Sequence, residues 1–181
     1  MSESSPIKDA LYAKINNIGQ EEIHQMLLKE EFSELFEKIF GSVINKIEID
    51  MNENEKYGTL AESMTHYLFT EMLIPSQRKI IFENVELDIV IPNTLELQKN
   101  SNNTIVIFFV KTSDLEQITQ RIHEIKKIQK NDVNIWIITK DAIEISQSTY
   151  YVTKESFSKF LKDSKNFINT KKMNKLNIFK T

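Results

Sequence analysis

Six consecutive apolar residues, Ile105 to Val110, stand between Thr104 and Lys111 in the segment TIVIFFVK. A run this short cannot make a buried helix of ordinary length, and it lacks the alternation of a half-exposed strand, so it reads as a central strand covered on both faces. Val133 to Thr139 (VNIWIIT) reads the same way. Between them Asp114 is placed to cap a helix that runs to about Lys130 and turns Leu115, Ile118, Ile122, Ile125 and Ile128 inward. A strand, a helix and a second strand of this kind predict a parallel pair joined by a right-handed crossover.

Two shorter strands precede this unit, Lys79–Phe82 and the alternating VELDIVI of Val85–Ile91, with the polar stretch Asn93 to Thr104 expected to be a long hairpin loop. Before them, Tyr57 to Leu73 has a helical stripe of Leu60, Met64, Tyr67 and Leu68, closed by Ile74-Pro75. The first 50 residues are read as helical: Pro6 opens one helix that Gly19 ends, and a second covers Glu21 to Phe40. Polar Asp50 to Gly58 is the clearest boundary, and Thr153 to Phe167 has the pattern of a last amphipathic helix. The expected class is α/β, a mixed β-sheet in α-β-β-β-α-β order with an N-terminal helical segment and a C-terminal helix. The expected division is 1–50 for the helical segment, 57–145 for the α/β core and 146–181 for the last helix and a basic tail.

Composition narrows the chemistry. The 181 residues contain no cysteine, which removes thiol catalysis, Cys-zinc sites and disulfide scaffolds. No apolar run is long enough for a membrane span, and the amino terminus lacks a signal-like core, so a soluble, cytoplasmic protein with no membrane partner is expected. Charge is unevenly spread: residues 1–56 hold 6 Lys against 12 acids, residues 57–153 hold 9 Lys+Arg against 12, and residues 154–181 hold 8 Lys against 2. A basic tail on an acidic body suggests a polyanion contact through Lys171, Lys172, Lys175 and Lys180, with a solvated terminus as the plainer reading.

Strand alternation puts Glu86 and Asp88 on one face with Val90, and Lys111 on one face with Phe109 and Ile107. If these strands pair antiparallel with Asp88 near Phe109, Glu86 falls near Lys111. The plain outcome is a Glu86–Lys111 ion pair; the chemical one is a metal-binding Asp beside a catalytic Lys. A Lys that ends an apolar strand has to bring its ammonium to water or to an anion.

The order of elements, with Gly58-x-x-x-Glu62 on the first helix, Asp88 on the second strand and Phe109-Val110-Lys111 on the third, resembles the PD-(D/E)xK nuclease superfamily over residues 57–141. The resemblance implies a restriction-endonuclease-like fold and Mg²⁺-dependent cleavage of DNA phosphodiesters, with Glu62, Asp88 and Lys111 as catalytic positions. Phe109 stands where the second metal-binding carboxylate belongs. Two acids are candidates to replace it as ligands beside Asp88. Glu124 lies 13 positions after Lys111, a spacing found where the carboxylate has migrated to the next helix. Glu62 binds metal directly in part of the superfamily. By helical arithmetic Glu62 is about 150° and Glu124 about 120° from the apolar stripe of its helix, so both read as solvent-facing. Glu62 and His66, spaced i,i+4, read as a surface pair.

The residues are therefore expected to form a nuclease-like module that binds nucleic acid and is impaired in catalysis. Its alternatives are an active Mg²⁺-dependent endonuclease with a migrated carboxylate and a non-catalytic protein-interaction module. In the last case a protein partner, or a second copy of the chain, would meet the N-terminal helices.

Overall fold

The computed structural model describes residues 5–48 and 50–177, with side chains described through residue 171. Eight α-helices and five strands are formed within them: α1 (Pro6–Ile18), α2 (Gln20–Leu28), α3 (Phe32–Phe36), α4 (Ser42–Ile44), α5 (Glu53–Glu71), β1 (Gln77–Phe82), β2 (Val85–Ile91), α6 (Thr94–Lys99), β3 (Ile105–Phe109), α7 (Leu115–Lys126), β4 (Ile135–Thr139), β5 (Ser148–Tyr151) and α8 (Lys154–Asn177). The class is α/β with a five-stranded mixed sheet. Strand order follows the sequence, β1-β2-β3-β4-β5; the first three strands form an antiparallel meander, and β4 and β5 run parallel to β3. No helix among the described residues is long and apolar enough to cross a membrane.

β3 and β4 are the fully buried strands, every residue of each being covered. α7 packs on one face, where Ile118, Ile122, Ile125 and Ile128 meet Val106, Phe108 and Ile137. On the other face, Ile105, Ile107, Phe109 and Ile138 join α5, the N-terminal helices and α8 in one larger core. The apolar stripes of α1 to α3 (Ile7, Leu11, Ile15, Ile23, Leu27, Phe32, Leu35) are spent inside that core, as are Phe157, Phe160 and Leu161 of α8.

Several local expectations are corrected. The single helix read over Glu21–Phe40 is broken at Glu30, whose φ of 57° ends α2 before α3 begins in a new direction. The break lets α2 pack on α1 and α3 on α8, two neighbours that one straight rod does not serve. A π-helical turn over Glu37–Gly41 follows. The stretch read as a hairpin loop holds α6, whose cap is Asn93, with its side-chain oxygen accepting from the Glu96 amide. α5 starts within the presumed boundary, because Asn52 Oδ1 accepts the Glu55 N–H at 2.8 Å and caps the helix. β5 lies outside the segments expected to form strands.

Candidate functional site

Gly58 decides how closely α5 approaches the sheet. A Cβ at this position would lie 2.5 Å from the Val110 carbonyl oxygen and 2.8 Å from Lys111 Cγ. Only glycine lets the first turns of the helix rest on the end of β3, so Lys111 crosses the helix at Gly58 and meets it again one turn later, at Glu62. Gly58-x-x-x-Glu62 is thus a close approach followed by an acid on the same helical face.

Glu62 is fully buried, which corrects its expected solvent exposure. The angular argument failed because α5 is covered nearly all round: Leu60, Ala61, Ser63, Met64 and Thr65 are buried beside it. Burial works to raise the carboxyl, but the Lys111 ammonium, with Arg78 and Lys79 adding to it, outweighs burial and holds Glu62 below the usual carboxylate range. Lys111 Nζ donates to Oε2 at 2.6 Å and Arg78 Nε to Oε1 at 2.7 Å. Arg78 also reaches Ser63 Oγ at 3.5 Å, and Lys79 Nζ stands 4.0 Å from Oε1.

Asp88 lies where the sheet changes phase. Val85 and Leu87 point into the α7-side core, yet Ile89 and Ile91 point into the α5-side core. The β1–β2 ladder skips the Lys79–Asp88 position, and Lys79 has a φ of 49°. The β2–β3 ladder starts at Ile89↔Ile107, while Val110 N–H donates to Ile138 of β4. Amides alternate sides along a strand, so the Phe109 N–H faces β2, where Asp88 Oδ2 accepts it at 2.8 Å. Burial pushes the Asp88 carboxyl up; the Phe109 amide and the Lys111 ammonium oppose this without cancelling it.

The structure thus brings Glu62, Asp88 and Lys111 to one place at the end of β3. Glu86 does not join them. It points to solvent, 77% exposed, with its nearest cation, Arg121, at 3.9 Å, which corrects the expected Glu86–Lys111 pair. The phase change at Asp88 is the reason. Glu124 stands on α7 with Arg121 Nη1 3.6 Å away. Phe109 is 1% exposed and packs in the α5-side core. His66, one turn beyond Glu62, is part-buried; burial and the nearby Arg78 hold its pKa below the ordinary imidazole value, and its Nδ1 has no hydrogen-bond partner among the described residues. Lys171 donates to Asn102 O at 3.2 Å and Asn103 Oδ1 at 2.8 Å, away from this cluster; the side chains of Lys172, Lys175 and Lys180 lie outside the described residues.

Arg78 is the residue that sequence reasoning missed. A signal for it existed: only 2 of the 23 basic residues are arginine, Arg78 and Arg121. The first holds Glu62 and the second contributes to the field at Asp88. A planar guanidinium suits a buried carboxylate better than a hydrated ammonium.

Magnesium, implied by the resemblance, is a hard cation that takes oxygen ligands in near-octahedral array. Both Glu62 oxygens are engaged by protein cations, one Asp88 oxygen is engaged by an amide, and position 109 supplies a phenyl ring. No group of three His, Cys, Asp or Glu side chains able to hold a metal ion occurs among the described residues. The donor set as arranged does not fit a divalent ion. Comparison of the chain with family models, curated proteins and solved structures returns no match.

Proposed function

We propose that this protein is a restriction-endonuclease-like module, related to the PD-(D/E)xK nucleases, that binds nucleic acid without hydrolysing it. The observation that carries the reading is the pairing of both Glu62 oxygens with Arg78 and Lys111. Two protein cations neutralise the acid that would otherwise help to hold a metal. The meeting of Glu62, Asp88 and Lys111 at the end of a central strand supports the relationship, as does a meander followed by a helical crossover. In this reading the cluster's remaining positive surface meets phosphate: Lys79 is 57% exposed and Lys111 33% exposed, so each keeps ammonium surface toward solvent. A phosphate there is bound by charge and hydrogen bonds, and no step of hydrolysis follows.

The test combines binding with cleavage. Anisotropy of a labelled 20-base-pair duplex is expected to give the same affinity in EDTA and in millimolar Mg²⁺, and Lys79→Gln is expected to weaken it. Supercoiled plasmid incubated with Mg²⁺ or Mn²⁺ is expected to stay intact. Metal-dependent nicking lost in Asp88→Asn would overturn the reading in favour of an active endonuclease. Absence of DNA binding at low salt would overturn it in favour of a protein-interaction module.

A further inference from the structure

The face of the sheet away from Glu62 carries a second built feature. A pocket of about 370 Å³ opens between the β1–β2 hairpin, α6 and the end of α7. Phe82, Leu97 and Ile128 line it with apolar surface, and Lys99, Lys127 and Lys130 bring three cations to it. The acid among its lining residues is Glu83, on the hairpin turn.

Its walls are fixed by hydrogen bonds that do not depend on a ligand. Gln129, fully buried just past α7, donates through its amide nitrogen to Ser101 O and Thr104 O, each at 3.0 Å. Asn131 Nδ2 donates to Asn102 Oδ1 at 2.9 Å. These bonds tie the segment after α6 to the segment after α7, so the pocket is formed in advance, as small-ligand sites generally are. On the hairpin side, Glu83 and Asn84 have φ of 48° and 63°, the two-residue turn that holds Phe82 opposite Val85.

None of the three lysines is paired with an acid among the described residues. Lys126, their neighbour, is paired with Asp132 at 2.7 Å. Lys99 and Lys127 have no ion-pair partner among the described residues, and Lys130 donates only to the Lys127 carbonyl. A helix C-terminus favours nearby cations, which explains why Lys127 and Lys130 are tolerated there. It does not explain why Lys99, from another helix, converges on the same cavity. On the back of the same loop, Lys171 of α8 bonds Asn102 and Asn103.

A mostly polar pocket lined by one aromatic ring and three lysines suits a ligand that has a flat ring and several negative charges. We infer that this pocket binds a nucleoside phosphate, with the base on Phe82 and the phosphates on Lys99, Lys127 and Lys130. The volume lies within the range of small-ligand pockets and admits one nucleotide. The same chemistry is offered by a free nucleotide and by one nucleotide of a single strand. The site is separate from the Glu62 cluster and stands whether or not that cluster binds nucleic acid.

The experiment is fluorescence titration of the full chain in EDTA and low salt, with mant-ATP as the free nucleotide and fluorescein-labelled (dT)10 as the strand. At least one probe is expected to bind. Lys127→Gln/Lys130→Gln is expected to weaken it about tenfold or more, the scale of losing two charge-assisted contacts. Lys159→Gln/Lys162→Gln, the same charge change on exposed positions of α8, is expected to leave affinity unchanged. Phe82→Leu is expected to weaken the nucleotide probe while competition by inorganic pyrophosphate is retained. All these positions except Phe82 are exposed, and circular dichroism checks that each variant is folded. Mant-ATP alone binding identifies a free-nucleotide site; tighter (dT)10 binding identifies a strand site. No binding of either probe, or an equal effect of the two double-lysine variants, would overturn the inference.

Discussion

Lys111 Nζ lies 2.6 Å from Glu62 Oε2, so the residue just past the central strand is bound to a helix 49 positions earlier in the chain. Arg78 closes the other side of the same carboxylate from the edge strand. One fully buried acid therefore joins α5 to two places on the sheet, and this predicts how the fold responds when it is removed. Glu62→Ala leaves Arg78, only 15% exposed, and Lys111 without their counter-ion. Breaking a buried pair costs about 3–5 kcal/mol, and Lys111's access to water puts the expectation near the lower end, about 3 kcal/mol. Urea unfolding checks it, with Glu62→Gln, which keeps an acceptor, expected to lose less.

Gly58→Ala sets two effects against each other. Alanine improves helix propensity by about 1 kcal/mol. The added Cβ would lie 2.5 Å from the Val110 carbonyl, which is backbone and cannot rotate away. Overpacking of this kind costs about 1–3 kcal/mol and forces α5 off the sheet, so the net change is expected to be destabilising. A stability equal to or above that of the parent, measured by urea unfolding, would mean that the helix does not need this close approach.

The two acids have opposite pH signatures. Glu62 is held below its unfolded value, so it contributes stability above about pH 4.3, which is lost as pH falls through its folded pKa. Asp88 is held above its unfolded value of about 3.9, so the native state binds the extra proton and this contribution to stability falls as pH rises through that window. Asp88→Asn keeps an oxygen for the Phe109 amide and removes the buried charge. It is therefore expected to be more stable than the parent at pH 7, with the gain shrinking toward pH 4. Urea midpoints at pH 4, 5, 6 and 7 measure the difference; a gain that grew toward low pH would contradict the assigned direction.

Elements with an unbroken apolar run or one strong helical period were legible in the sequence. β3, β4 and α7 lie where their apolar patterns put them, and the antiparallel neighbourhood of the Asp88 and Lys111 strands follows from element order. Elements set by tertiary contacts were not legible. α5 has polar and small residues on a buried face, so its stripe did not report Glu62. The β2 alternation changes phase at Asp88, opposite the positive φ of Lys79, and an i,i+2 rule cannot see that. Arg78 stands between two other polar residues, Gln77 and Lys79, at the start of an edge strand, and only its scarcity as a residue type marked it.

The Lys-rich end makes a prediction about salt. If Lys172, Lys175 and Lys180 contact duplex phosphates, each neutralised phosphate adds about −0.9 to the slope of log affinity against log salt. Replacing the three with glutamine is expected to flatten that slope by roughly 2 to 3 while leaving the urea midpoint unchanged. Lys171 is left in place because it bonds the loop at Asn102 and Asn103. An unchanged slope would return the tail to the status of a solvated terminus.

Phe109 tests the proposed ancestry of the cluster. Its ring is 1% exposed in the α5-side core, beside the amide that Asp88 accepts. Phe109→Glu deletes the ring's packing, which alone costs about 3–5 kcal/mol for large-to-small changes, and adds a third acid near Glu62 and Asp88. The variant is expected to be destabilised and its melting point to rise on adding millimolar Mn²⁺, because an ion that binds only the folded state stabilises it in proportion to RT ln(1 + [L]/Kd). Phe109→Leu removes the ring without adding a ligand, so it is expected to lose less stability and to ignore Mn²⁺. If Mn²⁺ moves neither variant, Asp88 is not one remaining half of a metal site. The Glu62–Lys111–Arg78 cluster would then be a structural ion-pair network, and the case for a nuclease relationship would rest on topology alone.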